Sequence, residues 1–240
     1  MHRAALHSFS FNGDRKMIDS KDVKLIHGDC LTEMKLIPDA SVDMILTDIP
    51  YGVVNRESNG LRKLDKSHAD IVSFDIESLC AEFVRITKGS IYVFCGTEQI
   101  SDLRSSFVKL GLSTRVIVWE KTNPSPMNGD KLWLSGIELC VYAKKSGATF
   151  NSRCRNCVLR YPSGQSKVHP TQKPTKLFCD LVLTSSNEGD IIFDPFMGSG
   201  TSGVACIRTK RKFIGIELND EYFGIAQKRI SQEQQQLSLF

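Results

Sequence analysis

Apolar positions along the 240-residue chain follow two periods in turn. Runs rich in Val, Ile, Leu and Phe fall at residues 23–26, 42–47, 90–94, 114–119, 137–142, 191–193 and 213–216. Their length and β-branched content predict strands. Between several of these, residues 71–86, 99–110, 176–184, 201–208 and 222–230 set apolar side chains three and four apart. That is the spacing of a helix with one buried face. Strand and helix alternate, so the pattern predicts an α/β domain on a seven-stranded, mostly parallel sheet over residues 21–230. Residues 1–20 read as a flexible N-terminal extension and 231–240 as a flexible C-terminal tail. Residues 52–67 and 146–174 are polar and long for plain connections, and both follow strand ends, where open α/β sheets place their ligands.

Composition narrows the class. With 41% hydrophobic and 24% charged residues the chain is an ordinary globular one, and no apolar run approaches the roughly 20 residues of a membrane span. Residues 1–20 lack the apolar core of a secretory signal, and a cytoplasmic location is expected. The eight cysteines are scattered; only Cys154 and Cys157 form a CxxC pair, too few ligands for a structural zinc site, and no metal is expected. A net charge of +4 decides little, but no Asp or Glu lies between Glu138 and Asp180. Lys144, Lys145, Arg153, Arg155, Arg160, Lys167, Lys173 and Lys176 all fall there. Such a basic stripe is either a solvated loop or a nucleic-acid surface, with Arg153, Arg155, Arg160 and Lys167 as candidate phosphate ligands.

Two strand ends carry candidate chemistry. One strand ends at Asp194 and runs through Pro195, Phe196, Gly198, Ser199 and Gly200 to a helix start at Thr201. Glycines there allow positive φ and close ligand approach, beside the unpaired N–H groups of a helix N-terminus. An ordinary tight turn is the alternative. The next strand ends at Glu217, followed by Leu218, at the spacing where such folds hold a ribose diol. The other strand runs into Asp48-Ile49-Pro50-Tyr51. A base amino group is a poor nucleophile because its lone pair is delocalised into the ring; acceptors around its protons favour attack. Asp48 and the Ile49 carbonyl supply two acceptors, and Tyr51 offers a ring for stacking on an extruded base.

These segments resemble the beta group of DNA amino-methyltransferases. The Asp194–Thr201 turn resembles the cofactor motif of that family, and Asp48–Tyr51 its Asp-Pro-Pro-Tyr motif, with Ile49 in place of the first proline. His27-Gly-Asp29-Cys30 and His169-Pro-Thr-Gln172-Lys173-Pro174 resemble two further family elements. Asn123–Pro126 and Glu138–Lys144 look like intermediate ones. The catalytic motif precedes the glycine turn, the circularly permuted order of the beta group. The resemblance implies a Rossmann-like S-adenosylmethionine-dependent methyltransferase fold acting on double-stranded DNA by base flipping. It implies Asp29 and Cys30 near the cofactor's adenine, and His169, Gln172, Lys173 and Pro174 near its methionine end. Asp48, Asp194, Pro195, Phe196, Gly198, Ser199, Gly200, Thr201, Glu217 and Leu218 complete the implied cofactor site. Residues 146–168 are the implied target-recognition segment. Adenine N6 is the favoured target; cytosine N4 and a non-catalytic relic of the fold are the alternatives. A bacterial or phage source is implied, with restriction-modification as one setting. Finally, Gln236-Leu237-Ser238-Leu239-Phe240 resembles the peptide by which bacterial replication proteins bind the sliding clamp, with Gln236, Leu237, Leu239 and Phe240 as contacts.

Overall fold

A computed structural model describes residues 17–51, 75–126, 129–164 and 172–237. Nine strands form one sheet in the order β1-β2-β9-β8-β3-β4-β6-β5-β7. They are β1 (Met17–Asp19), β2 (Val23–His27), β3 (Val42–Asp48), β4 (Thr87–Cys95), β5 (Ser113–Lys121), β6 (Ile137–Lys144), β7 (Val158–Tyr161), β8 (Ile191–Asp194) and β9 (Lys212–Glu217). The helices are α1 (Cys30–Met34), α2 (Ile76–Ile86), α3 (Ile100–Lys109), α4 (Thr175–Ser185), α5 (Thr201–Arg208) and α6 (Asp220–Leu237). All seven strands read from the sequence are present. The two additional ones, β1 and β7, are short edge strands without an apolar run, which hid them from periodicity.

The five central strands β2, β9, β8, β3 and β4 are mutually parallel, while β6 runs antiparallel to both β4 and β5. Period-2 alternation sends opposite residues to two cores. Along β4, Tyr92 and Phe94 join one cluster and Ile91, Val93 and Cys95 the other. Phe178 and Leu181 of α4, Val204 of α5 and Ile230 of α6 cover the first face. Met34 of α1, Phe83 of α2 and Phe107 of α3 cover the second. Each such fully buried side chain contributes roughly 1.5–3 kcal/mol.

Two domain boundaries move. Within the expected N-terminal extension, β1 pairs with β2, Met17 opposite Ile26. At the other end, α6 continues through residues 231–237 rather than fraying at residue 230. Ile230 is its last buried residue, so the apolar period stops there. Helix-favouring glutamines and the Arg208–Glu233 ion pair (2.8 Å) carry the helix on.

The permuted order has a topological consequence. Strands β8 and β9 come late in the chain yet insert between β2 and β3. After β3 the chain passes to α2 on one face, whereas after β8 it passes to α5 on the other. Helices therefore diverge at the carboxyl ends of β3 and β8, and open α/β sheets bind ligands in the crevice such a switch point leaves.

Candidate active site

Asp48 is the last residue of β3, at the switch point. The loop after it is pinned on both sides of the Ile49 carbonyl. Ile49 N–H donates to Phe94 O (3.1 Å), and Gln99 Nε2 donates to Pro50 O (3.0 Å). Gly96 N–H in turn donates to Gln99 Oε1 (2.9 Å), fixing that amide. The Ile49 side chain, 1% exposed, packs into the second core. Where the family pattern holds a proline, this chain fixes the backbone with an added strand hydrogen bond and an apolar anchor.

A charge cluster closes over Asp48. Lys173, just before α4 and 5% exposed, places Nζ 2.5 Å from Asp48 Oδ2 and 3.0 Å from Glu138 Oε2. Lys121 Nζ reaches the other Glu138 oxygen at 2.9 Å. Tyr51 donates its hydroxyl to Asp48 Oδ1 (3.1 Å) and lies 3.2 Å from Lys173 Nζ, which also sits 5.6 Å from the centres of the Tyr51 and Phe94 rings. Burial opposes the charge on Lys173, but the carboxylates of Asp48 and Glu138 outweigh it and hold the ammonium protonated. Burial lifts the Asp48 carboxyl above its ordinary range, with Lys173 pulling it down and Glu138 pushing it up. Lys173, implied by resemblance to lie at the cofactor, is thus in direct contact with the Asp48 carboxylate.

The glycine turn forms the adjoining wall. Asp194 is buried and accepts from Thr47 Oγ1 (2.7 Å), Ser202 Oγ (2.6 Å) and Phe196 N–H (3.0 Å). It ties the ends of β3 and β8 to α5. Burial pushes its carboxyl up to about 7 despite these donors. Gly198 and Gly200 have φ of 51° and 78°, and a Cβ built at Gly200 would stand 2.9 Å from that of Ala226. At Gly198 the same test meets nothing within 4 Å, so its backbone faces open space. Glu217 Oε2 accepts from Gly198 N–H (2.9 Å) and Oε1 from Asn219 N–H (2.8 Å). Arg229 bonds the Ser199 carbonyl and hydroxyl from behind, and Thr201 opens α5. Pro195 is buried, Phe196 half-buried and Leu218 exposed.

On the neighbouring strand, His27 is 2.9 Å from Leu218 O, and Asp29 Oδ1 caps α1 by accepting from Thr32 N–H (2.9 Å). Cys30 is buried, and burial drives its thiol up to about 12, so it acts as an apolar wall. The ends of β2, β9, β8 and β3 therefore line up Asp29, Glu217, Gly198 and Asp48 along one crevice. These groups fit S-adenosylmethionine: carboxylates for hydroxyl and amino groups, the Phe196 ring for a flat base, open glycine backbone for close approach, and an acidic rim for a sulfonium.

Gln172 and Pro174 flank Lys173, both half-buried. His169, Lys167, Leu239 and Phe240 lie outside the described residues. Gln236 and Leu237 are exposed on the last turn of α6.

The basic stripe divides. Arg155 is corrected as a free phosphate ligand: it forks onto both oxygens of Asp180 and onto Thr184 Oγ1 (2.7 Å), fastening its segment to α4. Asn151 bonds Leu183 O (3.0 Å) and Ser186 O (2.9 Å) at the end of that helix. Since α4 begins beside Lys173 and ends away from it, this first part of the expected recognition segment lies away from the catalytic crevice. Arg153 is exposed there, and Arg160 on β7 pairs with Glu120 at 3.1 Å. Among the described residues of the segment, 161–164 lie at the carboxyl edge, where Ser163 N–H donates to Asn123 Oδ1 (2.6 Å).

Residue-by-residue reading gave no role to Glu138, Lys121, Gln99, Thr47 or Ser202. Glu138 left one signal, a carboxylate set in the otherwise apolar run that becomes β6.

A family model described as DNA methylase, of the N6 and N4 amino-methyltransferases, matches residues 42–228. The chain is 32% identical to the DNA adenine methyltransferase YhdJ of Escherichia coli (strain K12), over 86% of this chain and 82% of that protein. It is 30% identical to the type II methyltransferase M.HinfI of Haemophilus influenzae, over 86% of this chain and 67% of that one. The crystal structure of the M1.HpyAVI–SAM complex superposes with a TM-score of 0.68 at 30% identity, covering 87% of this chain and 98% of that one. With its family match spanning both the Asp48 loop and the Asp194 turn, this chain belongs to the DNA methylase family of N6 and N4 amino-methyltransferases.

Proposed function

We propose that the protein transfers a methyl group from S-adenosylmethionine to N6 of adenine in double-stranded DNA. The observation that carries this is the Asp48 carboxylate, held by Lys173 and Tyr51 at the end of β3, next to the open glycine turn of β8. The named relatives favour adenine, since one at 32% identity is a DNA adenine methyltransferase.

When bound, the cofactor supplies a methyl group already activated on a sulfonium. Asp29 and Glu217 would hold polar edges of its nucleoside, Phe196 would offer a ring to the base, and Gly198 would leave room for close approach. Asp48 and the Ile49 carbonyl accept hydrogen bonds from the adenine amino group and orient its lone pair. Tyr51 supports the extruded ring. As the nitrogen takes the methyl group, the methyl–sulfur bond would break to leave a neutral thioether, and the nitrogen would shed one proton, for which Asp48 is the proposed acceptor. Lys173 favours the ionised form of Asp48 against the effect of burial, and Asp48 and Glu138 favour the charged form of Lys173. Most of the acceleration comes from positioning and from acceptors aimed at the developing positive charge. Asp48→Ala is expected to abolish turnover while leaving cofactor affinity, measured by calorimetry, within a few-fold of wild type. Retained turnover would remove Asp48 from this role.

The protein acts in the cytoplasm of a bacterium. Its C-terminal residues Gln236, Leu237, Leu239 and Phe240 serve as a sliding-clamp peptide, with the apolar pair entering a pocket and the glutamine bonding its rim. Deleting residues 237–240 is expected to abolish binding to purified clamp; undiminished binding would refute the role.

A further inference from the structure

The connection from β5 to β6 emerges at the carboxyl edge of the sheet, beside the catalytic cluster. Its stem is hydrogen-bonded. Lys121 N–H donates to Gly136 O (2.7 Å), Gly136 N–H to Leu134 O (2.8 Å), and Asn123 is locked to the main chain of Ser163. Lys121 and Glu138, which close the two ends of this connection, both belong to the cluster over Asp48. From this stem three apolar side chains stand in solvent: Leu132 at 66% exposure, Trp133 at 100% and Leu134 at 46%. Ile137, 54% exposed, continues the patch towards Glu138. Trp133 is five residues before Glu138, so even fully extended backbone keeps it within about 18 Å of that residue.

A hydrogen-bonded stem that leaves tryptophan wholly in water needs a physical reason, because burying an indole is among the larger gains open to a folding chain. Duplex DNA provides one. Extruding a base breaks two stacking contacts and leaves a gap, and apolar wedges from DNA-binding proteins enter such gaps. Indole is the side chain whose flat area best matches a base. Lys131 beside it is exposed and suited to a flanking phosphate. The patch ends at Ile137, next in sequence to Glu138, which is ion-paired to Lys173 over Asp48.

We infer that Trp133, flanked by Leu132 and Leu134, is a positioning residue that enters the duplex beside the target nucleotide and fills the space its extrusion leaves. This rests on the methyltransferase reading above. A second copy of the chain on the same patch is the competing occupant.

The test uses the full chain, with the methylated sequence first mapped by sequencing unmethylated plasmid DNA after treatment with the wild-type protein. Two duplex oligonucleotides then carry that sequence, one fully paired and one with an abasic site opposite the target base. Trp133→Ala is expected to lose roughly tenfold or more in kcat/KM on the paired duplex. On the abasic duplex it should stay within about twofold of wild type, and Trp133→Phe should recover most of the loss on paired DNA. 2-Aminopurine at the target position should brighten on binding wild type and less on binding Trp133→Ala. An equal loss on both duplexes, no loss on either, or a loss that follows a change in sedimentation from dimer to monomer would overturn the wedge. Absence of transfer by the wild-type protein would instead overturn the methyltransferase reading, and the wedge with it.

Discussion

The ammonium of Lys173 lies 2.5 Å from the carboxylate of Asp48, across 125 residues of chain, and joins the two family motifs into one site. The contact is all but closed to solvent on the lysine side. Glu138 and Lys121 complete a group of two carboxylates and two ammoniums, whose formal charges cancel around Asp48. Removing one partner of a buried pair leaves the other uncompensated.

Lys173→Met should therefore leave Asp48 and Glu138 facing each other. Chemical denaturation is expected to show a loss of about 3–5 kcal/mol, with Lys173→Met/Glu138→Gln recovering part of it. Unchanged stability in the single variant would mean that the pair is not buried in solution.

The pH dependence of the rate follows from the same cluster. Protonated Asp48 is no longer a full acceptor, so kcat should fall as pH falls through its pKa. Burial places that limb above the ordinary carboxylate range. Glu138→Gln removes the like charge that pushes Asp48 up, and should move the acid limb to lower pH; a shift upward, or none, would detach Glu138 from Asp48.

Asp194 governs stability in a different window. Its carboxyl, ordinarily near 3.8, is pushed up to about 7 by burial, so the folded chain holds this proton where the unfolded chain has lost it. The resulting stability is complete below about pH 4 and is lost as pH rises through 7, up to about 4 kcal/mol. Asp194→Asn cannot titrate. The stability of wild type relative to this variant should fall between pH 5 and pH 8, followed by urea unfolding; a flat difference would show that Asp194 ionises normally.

Long apolar runs and glycine turns were legible because each has a local cause. Strands β3, β4, β8 and β9 are largely buried along their length, and their sequences carry the apolar runs that burial on both faces requires. Asp48, Gly198 and Glu217 were legible because they sit at the ends of those strands. The edge strands β1 and β7 were not, since pairing with a neighbour rather than a pattern makes them strands. Residues 231–237 carry no apolar period, and their helix continues on helix-favouring glutamines and the ion pair to Arg208, neither of which leaves a periodic signal. Arg155 shows the limit of charge counting: a basic run does not reveal that Asp180 waits on α4, 25 residues on. Ile49 shows the converse, a departure from a motif whose compensation, the Phe94 carbonyl, lies on another strand.

The decisive measurement is product identity. Unmethylated DNA would be incubated with purified protein and labelled S-adenosylmethionine, digested to nucleosides and resolved by mass. N6-methyldeoxyadenosine, absent with Asp48→Ala, is the expected product. Label in N4-methyldeoxycytidine would move the target base, and cofactor binding without label in any nucleoside would refute catalysis by this site.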